Sequence, residues 1–207
     1  MATNRVTTDL TKGNPLKMTV RFAIPIFLSN ILQQIYVLTD VAIIGHTLGD
    51  DALSAIGTVT TIYGFFYSLM FGMASGFSVV ISRFFGSKDE KGLKRAIANT
   101  LFISAIWGIL VPLAGLLSLK KLMTVLNTPA EIFDMAYSYA SVVISLLSFV
   151  FIYNVLRSIL QAIGNSRAPL YFLMISVTTN ILLDLLFVRQ LGFGLPGAAY
   201  ATGIAIS

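Results

Sequence analysis

The sequence contains no cysteine, one histidine, one tryptophan and few charged residues of either sign. Without cysteine it can form no disulfide and offers neither a thiolate nucleophile nor a cysteine-based zinc site. Only 11% of the residues are Asp, Glu, Lys or Arg, whereas a soluble domain carries about 25%. The mean hydropathy is +0.84. These values exclude a soluble enzyme and a DNA-binding domain, and they indicate a multispan membrane protein.

Long uncharged runs set the number of spans. The runs cover 31 residues at 52–82, 24 at 96–119 and 22 at 135–156, and a helix needs about 20 residues to cross a bilayer. We therefore expect an all-α integral membrane fold, with a cytoplasmic N-terminal segment at 1–15 and one membrane domain at 16–207. The expected spans are approximately 16–44, 52–82, 96–119, 134–163, 168–188 and 197–207. The sixth covers only about half a bilayer, so we expect a truncated helix.

Lysine and arginine are distributed unevenly between the two sides of the predicted membrane. Eleven lie at the N-terminus, in the second-to-third loop and in the fourth-to-fifth loop, and three lie on the opposite side (Lys120, Lys121 and Arg189). Since cytoplasmic loops are enriched in these residues, the N-terminus is predicted to be cytoplasmic. The basic excess is thus a topology signal and not a nucleic-acid surface, although the same loops should attract anionic membrane lipid.

Two acidic residues, Asp40 and Asp184, lie well inside predicted spans, where a carboxylate costs about 2.5–3.5 kcal/mol and normally faces a cavity or the bundle interior. Counted from the expected helix ends, both lie about 7.5 Å deep, as does Thr202. Asn180 lies one turn from Asp184 on the same helix face. This set supplies hard oxygen ligands and no soft ones, which suits Na⁺ or a shared proton and no transition metal. Interhelical hydrogen bonding is the alternative.

The first span carries a polar face, formed by Asn30, Gln33, Tyr36 and Asp40. We expect this face to line an aqueous cavity. Pro25 in the same helix removes a backbone hydrogen bond and should kink it. A static kink and a functional hinge both remain open for this proline.

Two further polar or small-residue patterns occur along the spans. Arg157 shares a face of the fourth span with Tyr153 and Gln161, close to the inner end, where snorkelling to lipid headgroups accounts for it. The pair Gly72-x-x-x-Gly76 predicts close helix contact in the second span.

Catalytic patterns are missing from the sequence. His46 is expected in a solvated outer loop, and no serine has a histidine partner at a suitable spacing. We therefore expect no catalytic residue and no enzymatic activity.

Several segments together resemble the N-terminal lobe of prokaryotic, NorM/DinF-like multidrug and toxic compound extrusion (MATE) transporters. The matching runs include LTKGNPLKMTVRFAIPIFLSNILQQIYVLTDVAIIGHTLGDDALSAIG, VVISRFFGSKDEKGLKRA, LNTPAEI, VLRSILQAIGNSRAPLYF, NILLDLLFV and GLPGAAYAT. The resemblance implies half of a twelve-helix, two-lobe transporter whose C-terminal lobe is missing here. It also implies an antiporter that exports organic cations against Na⁺ or H⁺ by alternating access, from a bacterial or archaeal plasma membrane.

The family pattern places the coupling-ion site on Asp40, Asn180, Asp184 and Thr202, the set that the depth argument also selects. It adds Asn154 as a cavity residue, and it implies no cofactor beyond the coupling ion. A flippase for lipid-linked saccharides, from the same superfamily, is the alternative. Such flippases usually need basic cavity residues to hold a pyrophosphate, whereas this sequence has acids and amides in the outer half and only Arg157 near the inner end.

Overall fold

The computed structural model describes residues 14–206, which form six α-helices. Their bounds are α1 Pro15–Leu48, α2 Asp50–Gly86, α3 Glu90–Val125, α4 Ala130–Ala162, α5 Arg167–Asp184 and α6 Gly194–Ile206, and α5 continues into a π-helical segment, Leu185–Gln190. Five of the helical stretches are long and apolar enough to cross a membrane. The expected all-α, six-helix lobe is thus confirmed. Most of the N-terminal segment 1–15 lies outside the described residues.

The helices extend beyond the predicted spans because their polar ends remain helical. The charged stretch 83–95 was expected to be a loop, yet only Ser87–Asp89 lie between α2 and α3. Asp89 caps α3 by accepting a hydrogen bond from the backbone N–H of Gly92 at 2.9 Å. Likewise, α1 runs past Gly45 to Leu48. His46 therefore lies in the last helical turn and not in a loop, although it is exposed as expected.

Helix α4 lies at the centre of the lobe and packs against α2, α3 and α6. Its buried positions recur every three or four residues, as they do on α2, so each helix presents one apolar stripe to the other. Glycines of α3 and α6 allow these two helices to approach α4 closely. A Cβ on Gly115 would lie 2.9 Å from Ile144, and one on Gly203 would lie 2.6 Å from Leu146. The core is therefore built around α4, while α1 packs mainly on α5.

Large apolar side chains are exposed along the outer faces of several helices, including Phe27 at 64%, Phe102 at 69% and Leu117 at 80%. Such faces suit a hydrocarbon environment rather than water. By contrast, the predicted close contact at Gly72-x-x-x-Gly76 is wrong within the described residues. A Cβ at either glycine would meet nothing within 4 Å, because this face of α2 is turned away from the other helices.

Candidate cation site

The two intramembrane acids lie together although they are far apart in sequence. Asp40 is on α1 and is partly buried, while Asp184 is the last residue of α5 and is 0% exposed. Their carboxyl groups lie close enough to interact with each other electrostatically. Because two bare carboxylates repel each other and neither can donate, a proton or another cation between them would relieve the repulsion.

Three neutral side chains lie around the acids: Tyr36 on α1, Asn180 on α5 and Thr202 on α6. In the amide orientation that satisfies both of its groups, Asn180 donates to Asp184 Oδ2 at 2.9 Å and accepts from the backbone N–H of Thr202 at 3.2 Å. The hydroxyl groups of Tyr36 and Thr202 lie 3.0 Å apart. Side chains of α1, α5 and α6 thus form one hydrogen-bonded cluster, which we call the acid cluster (Tyr36, Asp40, Asn180, Asp184 and Thr202).

Two oxygens of the acid cluster are not used by any of these bonds. Within residues 14–206, Asp40 Oδ1 and Asp184 Oδ1 are buried and have no hydrogen-bond partner. A buried carboxylate oxygen without a partner carries a desolvation cost of about 1–3 kcal/mol or more. This arrangement can hold a proton or a small hard cation, because either would satisfy the free oxygens.

Asp40 and Thr202 lie deeper than the sequence predicted. Asp40 is eight residues before the end of α1 at Leu48, and Thr202 is eight residues after the start of α6 at Gly194. At 1.5 Å per residue the depth is about 12 Å from the helix ends, and not about 7.5 Å. Asp40 and Thr202 are equally far from their helix ends, as expected, but α1 was predicted to end too early and α6 to begin too late. Asp184 lies six residues before the end of the π-helical segment at Gln190.

Tyr139 is a neighbour of the acids that the sequence interpretation missed. This α4 tyrosine lies within electrostatic range of both Asp40 and Asp184, and Tyr63 of α2 lies beside it in turn. It is nine residues after the start of α4 at Ala130, so it lies about 13.5 Å deep. The same depth argument, applied to aromatic residues as well as acids, could have found it.

The π-helical segment that follows Asp184 had no signal in the sequence. It begins at Leu185, directly after the acid. A π-type turn inserts one extra residue per turn and occurs frequently at functional sites. An apolar run such as LLFV fits α- and π-helical geometry equally well, so the pattern could not distinguish them.

The other predicted cavity residues are not part of the acid cluster. Asn154 is 5% exposed and donates to the Val150 carbonyl of its own helix at 2.8 Å. Gln33 is half-buried on α1. Pro25 is buried inside α1, where its carbonyl accepts from Ser29 Oγ at 2.8 Å. Its role as a hinge stays a prediction.

Arg157 has a partner on another helix, and its snorkelling to lipid headgroups stays a prediction. Its guanidinium Nη2 donates to Asn30 Oδ1 on α1 at 3.3 Å. Asn30 thus lies opposite α4, as a cavity-lining residue should, but its partner is the arginine near the other end of the lobe. The polar face of α1 therefore serves two separate clusters.

Comparisons with known proteins agree on one family. The MatE family model matches residues 25–186. The chain is 33% identical over 196 residues to the probable multidrug resistance protein YpnP of Bacillus subtilis (strain 168), covering 94% of this chain and 44% of that protein. It is 30% identical to the probable multidrug resistance protein YoeA of the same organism, covering 89% of this chain and 41% of that protein.

Solved structures match over a similar share of their length. A multidrug resistance MATE family transporter of the MOP superfamily, solved in an outward-facing conformation, superposes with a TM-score of 0.90 at 28% identity. The match covers 100% of this chain and 45% of that one, so this chain spans less than half the length of its relatives. The chain belongs to the MatE family, and it corresponds to the N-terminal lobe of the fold of these relatives.

Proposed function

We propose that this lobe couples the export of organic cations to the inward movement of Na⁺ or H⁺ through the acid cluster. The observation that carries the proposal is the buried contact between Asp40 and Asp184, whose Oδ1 atoms have no partner in residues 14–206. Such a pair demands a cation from outside the chain. Neutral hydrogen-bonding groups surround it, so the lobe itself supplies no compensating positive charge within the cluster.

The coordinating atoms favour a hard cation. The cluster offers carboxylate, hydroxyl and amide oxygens and no sulfur or imidazole, which is the chemistry of Na⁺ or of a shared proton. Among the described residues, no three His, Cys, Asp or Glu side chains lie together. The acid pair therefore has to hold its ion with neutral oxygens as the remaining ligands.

Aromatic rings near the acids support an organic cation as the exported ligand. Tyr36 and Tyr139 lie near Asp40, and Tyr63 lies beside Tyr139 on a third helix. A ring face attracts a cation that has shed its water. The names of the relatives as multidrug resistance proteins favour drug export over the saccharide flippase alternative.

Competition between the two cations explains the exchange. When Na⁺ or H⁺ neutralises the acid pair, the electrostatic attraction for a cationic drug falls, so ion binding favours the state that releases the drug. The charge distribution supports a cytoplasmic N-terminus in a bacterial or archaeal plasma membrane. Ions would then reach the acid cluster from the outer side, where the drug is released.

The test is a thermodynamic linkage measured on the chain in lipid nanodiscs. Ethidium binding is followed by fluorescence anisotropy while Na⁺ replaces choline at constant ionic strength, and in a second series while the pH is lowered. We expect one of the two ions to weaken ethidium binding by about 5- to 150-fold. Ethidium affinity that responds to neither Na⁺ nor pH would contradict the proposal.

Transport gives a second, independent test. Alternating access requires two bodies that move about a central site, and the relatives are more than twice as long as this chain. We therefore expect residues 1–207 alone to bind ethidium in proteoliposomes. When a Na⁺ or pH gradient is imposed, they should not export it. Gradient-driven efflux by this chain alone would show either that two copies assemble or that the two-lobe mechanism is wrong, and the size of the assembled particle would distinguish these outcomes.

A further inference from the structure

Arg157 is a cation inside a membrane-spanning helix whose hydrogen-bond partner is neutral. The guanidinium is half-buried, and within the described residues its Nη2 donates to the amide oxygen of Asn30 at 3.3 Å and not to a carboxylate. A charged group at this position is costly unless it is paired. A neutral amide compensates a guanidinium only partly, since charged acceptors make hydrogen bonds about twice as strong.

Two further donors flank Arg157 on the same face of α4. Tyr153 and Gln161 lie one helical turn away on either side. The Tyr153 hydroxyl and the Gln161 Nε2 are buried and have no partner within residues 14–206, and Tyr153 lies within electrostatic range of Arg157. The three side chains together present a guanidinium fork, a hydroxyl and an amide N–H₂, a combination that suits an oxyanion with several acceptor atoms.

The depth of this cluster matches a phospholipid headgroup. Helix α4 has 33 residues and is therefore about 50 Å long, which exceeds the 40–45 Å thickness of a bilayer with its headgroups. Arg157 lies five residues before the end of α4 at Ala162, or about 7.5 Å inside it. That position falls near the boundary between headgroups and hydrocarbon, where a phosphate resides.

Apolar and aromatic surfaces beside the cluster suit acyl chains. Leu156, next to Arg157, is 47% exposed, and Phe27 on α1 is 64% exposed. On the α2 side, Tyr67 lies near Tyr153 and stacks on Phe71 at 5.9 Å. The donors of this cluster thus lie on helices whose neighbouring apolar side chains are exposed, next to the point where Arg157 reaches across from α4 to Asn30 on α1.

We propose that Arg157, Tyr153 and Gln161 bind the phosphate of an anionic phospholipid that enters between α1 and α4. Arg157 supplies the charge and the fork, and the two flanking donors satisfy the remaining phosphate oxygens. Asn30 holds the guanidinium in position when the lipid is absent. This site is separate from the acid cluster, and it does not depend on the coupling mechanism proposed above.

The test titrates the detergent-solubilised chain with dioctanoyl-phosphatidylglycerol, counting bound lipid by native mass spectrometry, with inorganic phosphate in a parallel series. We expect one tight lipid per chain. Arg157→Gln should weaken it about tenfold or more, and Tyr153→Phe or Gln161→Leu about threefold to tenfold each. Arg167→Gln, which removes an exposed charge near the same end of the lobe, should change the affinity less than twofold.

Each result decides the proposal. Wild-type lipid affinity in Arg157→Gln overturns it, because Arg157 would then not bind the lipid. An equal loss in Arg167→Gln also overturns it, because lipid binding would then depend on the net charge at this end of the lobe. If Arg157→Gln does not fold, the Tyr153 and Gln161 variants decide the question, and unchanged affinity in both overturns the site. Inorganic phosphate that binds as tightly as the lipid would assign the site to a soluble anion and overturn the lipid assignment.

Discussion

The acid cluster and the arginine cluster (Asn30, Tyr153, Arg157 and Gln161) share α1 but are built differently. The acid cluster joins α1, α5 and α6 through several hydrogen bonds, and both Asp184 and Asn180 are at most 1% exposed. The arginine cluster is joined to α1 by one long hydrogen bond, and Asn30 is exposed. One site is pre-organised and hidden, whereas the other is open and loosely held.

The separation between the two clusters limits how far their charges compensate each other. Asn30 and Asp40 are ten residues apart on α1, or about 15 Å. At that distance and an effective dielectric constant of about 20, a carboxylate and a guanidinium attract each other by only about 1 kcal/mol, against about 4 kcal/mol at 4 Å. The carboxylates of the acid cluster and the Arg157 guanidinium therefore compensate each other only weakly. Opposite charges that are kept apart within a membrane domain are therefore available to bind ligands.

The largest effect is expected in a labelling experiment that shows which end of the helices faces the outside of the membrane. Because the chain has no cysteine, Ser87→Cys and Thr128→Cys each introduce a unique thiol, in the α2–α3 and α3–α4 turns respectively. A membrane-impermeant maleimide should label Cys at position 87 only from the cytoplasmic side and Cys at position 128 only from outside. The reverse pattern would place the arginine cluster on the outer side and remove the proposed route of ions to the acid cluster.

The sequence predicted the acid cluster because lipid makes charge expensive. Two carboxylates in long apolar runs stand out, and counting residues from the helix ends brought Asp40, Asp184 and Thr202 to one depth. The six-helix fold was predicted for the same reason, from the long runs without charged residues. Bonds such as Tyr36 to Thr202 at 3.0 Å join residues 166 positions apart, and depth suggested their proximity without giving the contact.

Other features could not be predicted because they depend on how helices pack. To predict that Arg157 pairs with Asn30, one must know which helix lies opposite this face of α4. The sequence of a single span does not show this. The Gly72-x-x-x-Gly76 pattern indicated contact, but the pattern cannot say whether the neighbouring helix lies in this lobe. The π-helical segment after Asp184 arises from local backbone geometry that leaves the apolar pattern unchanged.

The next largest effect should come from Asp184→Asn. The substitution keeps the size of the side chain and an acceptor for Asn180, but it removes the charge that demands a cation. We expect the dependence of ethidium affinity on Na⁺ or pH to disappear, while the chain still folds and inserts, as judged by circular dichroism in nanodiscs. Asp134→Asn, an exposed acid near the start of α4, is the matched control and should keep the full ion response. An unchanged ion response in the Asp40→Asn, Asp184→Asn double variant would leave the acid cluster as a structural contact.

A smaller effect is expected from Asn180→Ala. This change leaves Asp184 Oδ2 without its 2.9 Å donor and removes a neutral oxygen from the site, but the charge remains. If Na⁺ is the coupling ion, its half-effective concentration should rise about tenfold, the cost of one buried hydrogen bond to a charged group. Asn99→Ala, on an exposed face of α3, should leave that concentration unchanged. A loss as complete as that in Asp184→Asn would show that geometry, and not charge, dominates the ion response.

The smallest effect should come from Tyr36→Phe, which tests how far the acid cluster depends on its link between α1 and α6. The change removes one hydroxyl, 3.0 Å from Thr202 Oγ1, and keeps the ring that supports a cationic drug. A neutral hydrogen bond is worth about 0.5–1.5 kcal/mol, so ion potency in the ethidium assay should fall about threefold to tenfold, with the ethidium affinity in the absence of ion nearly constant. Tyr137→Phe is the control, because that half-buried tyrosine uses its ring, with Lys120 Nζ 5.3 Å from the ring centroid, and lies outside the cluster. If both tyrosine variants behaved like the wild type, the acid cluster would be held by α5 and α6 alone. Asp40 would then be positioned by helix packing and not by the hydroxyl link from its own helix.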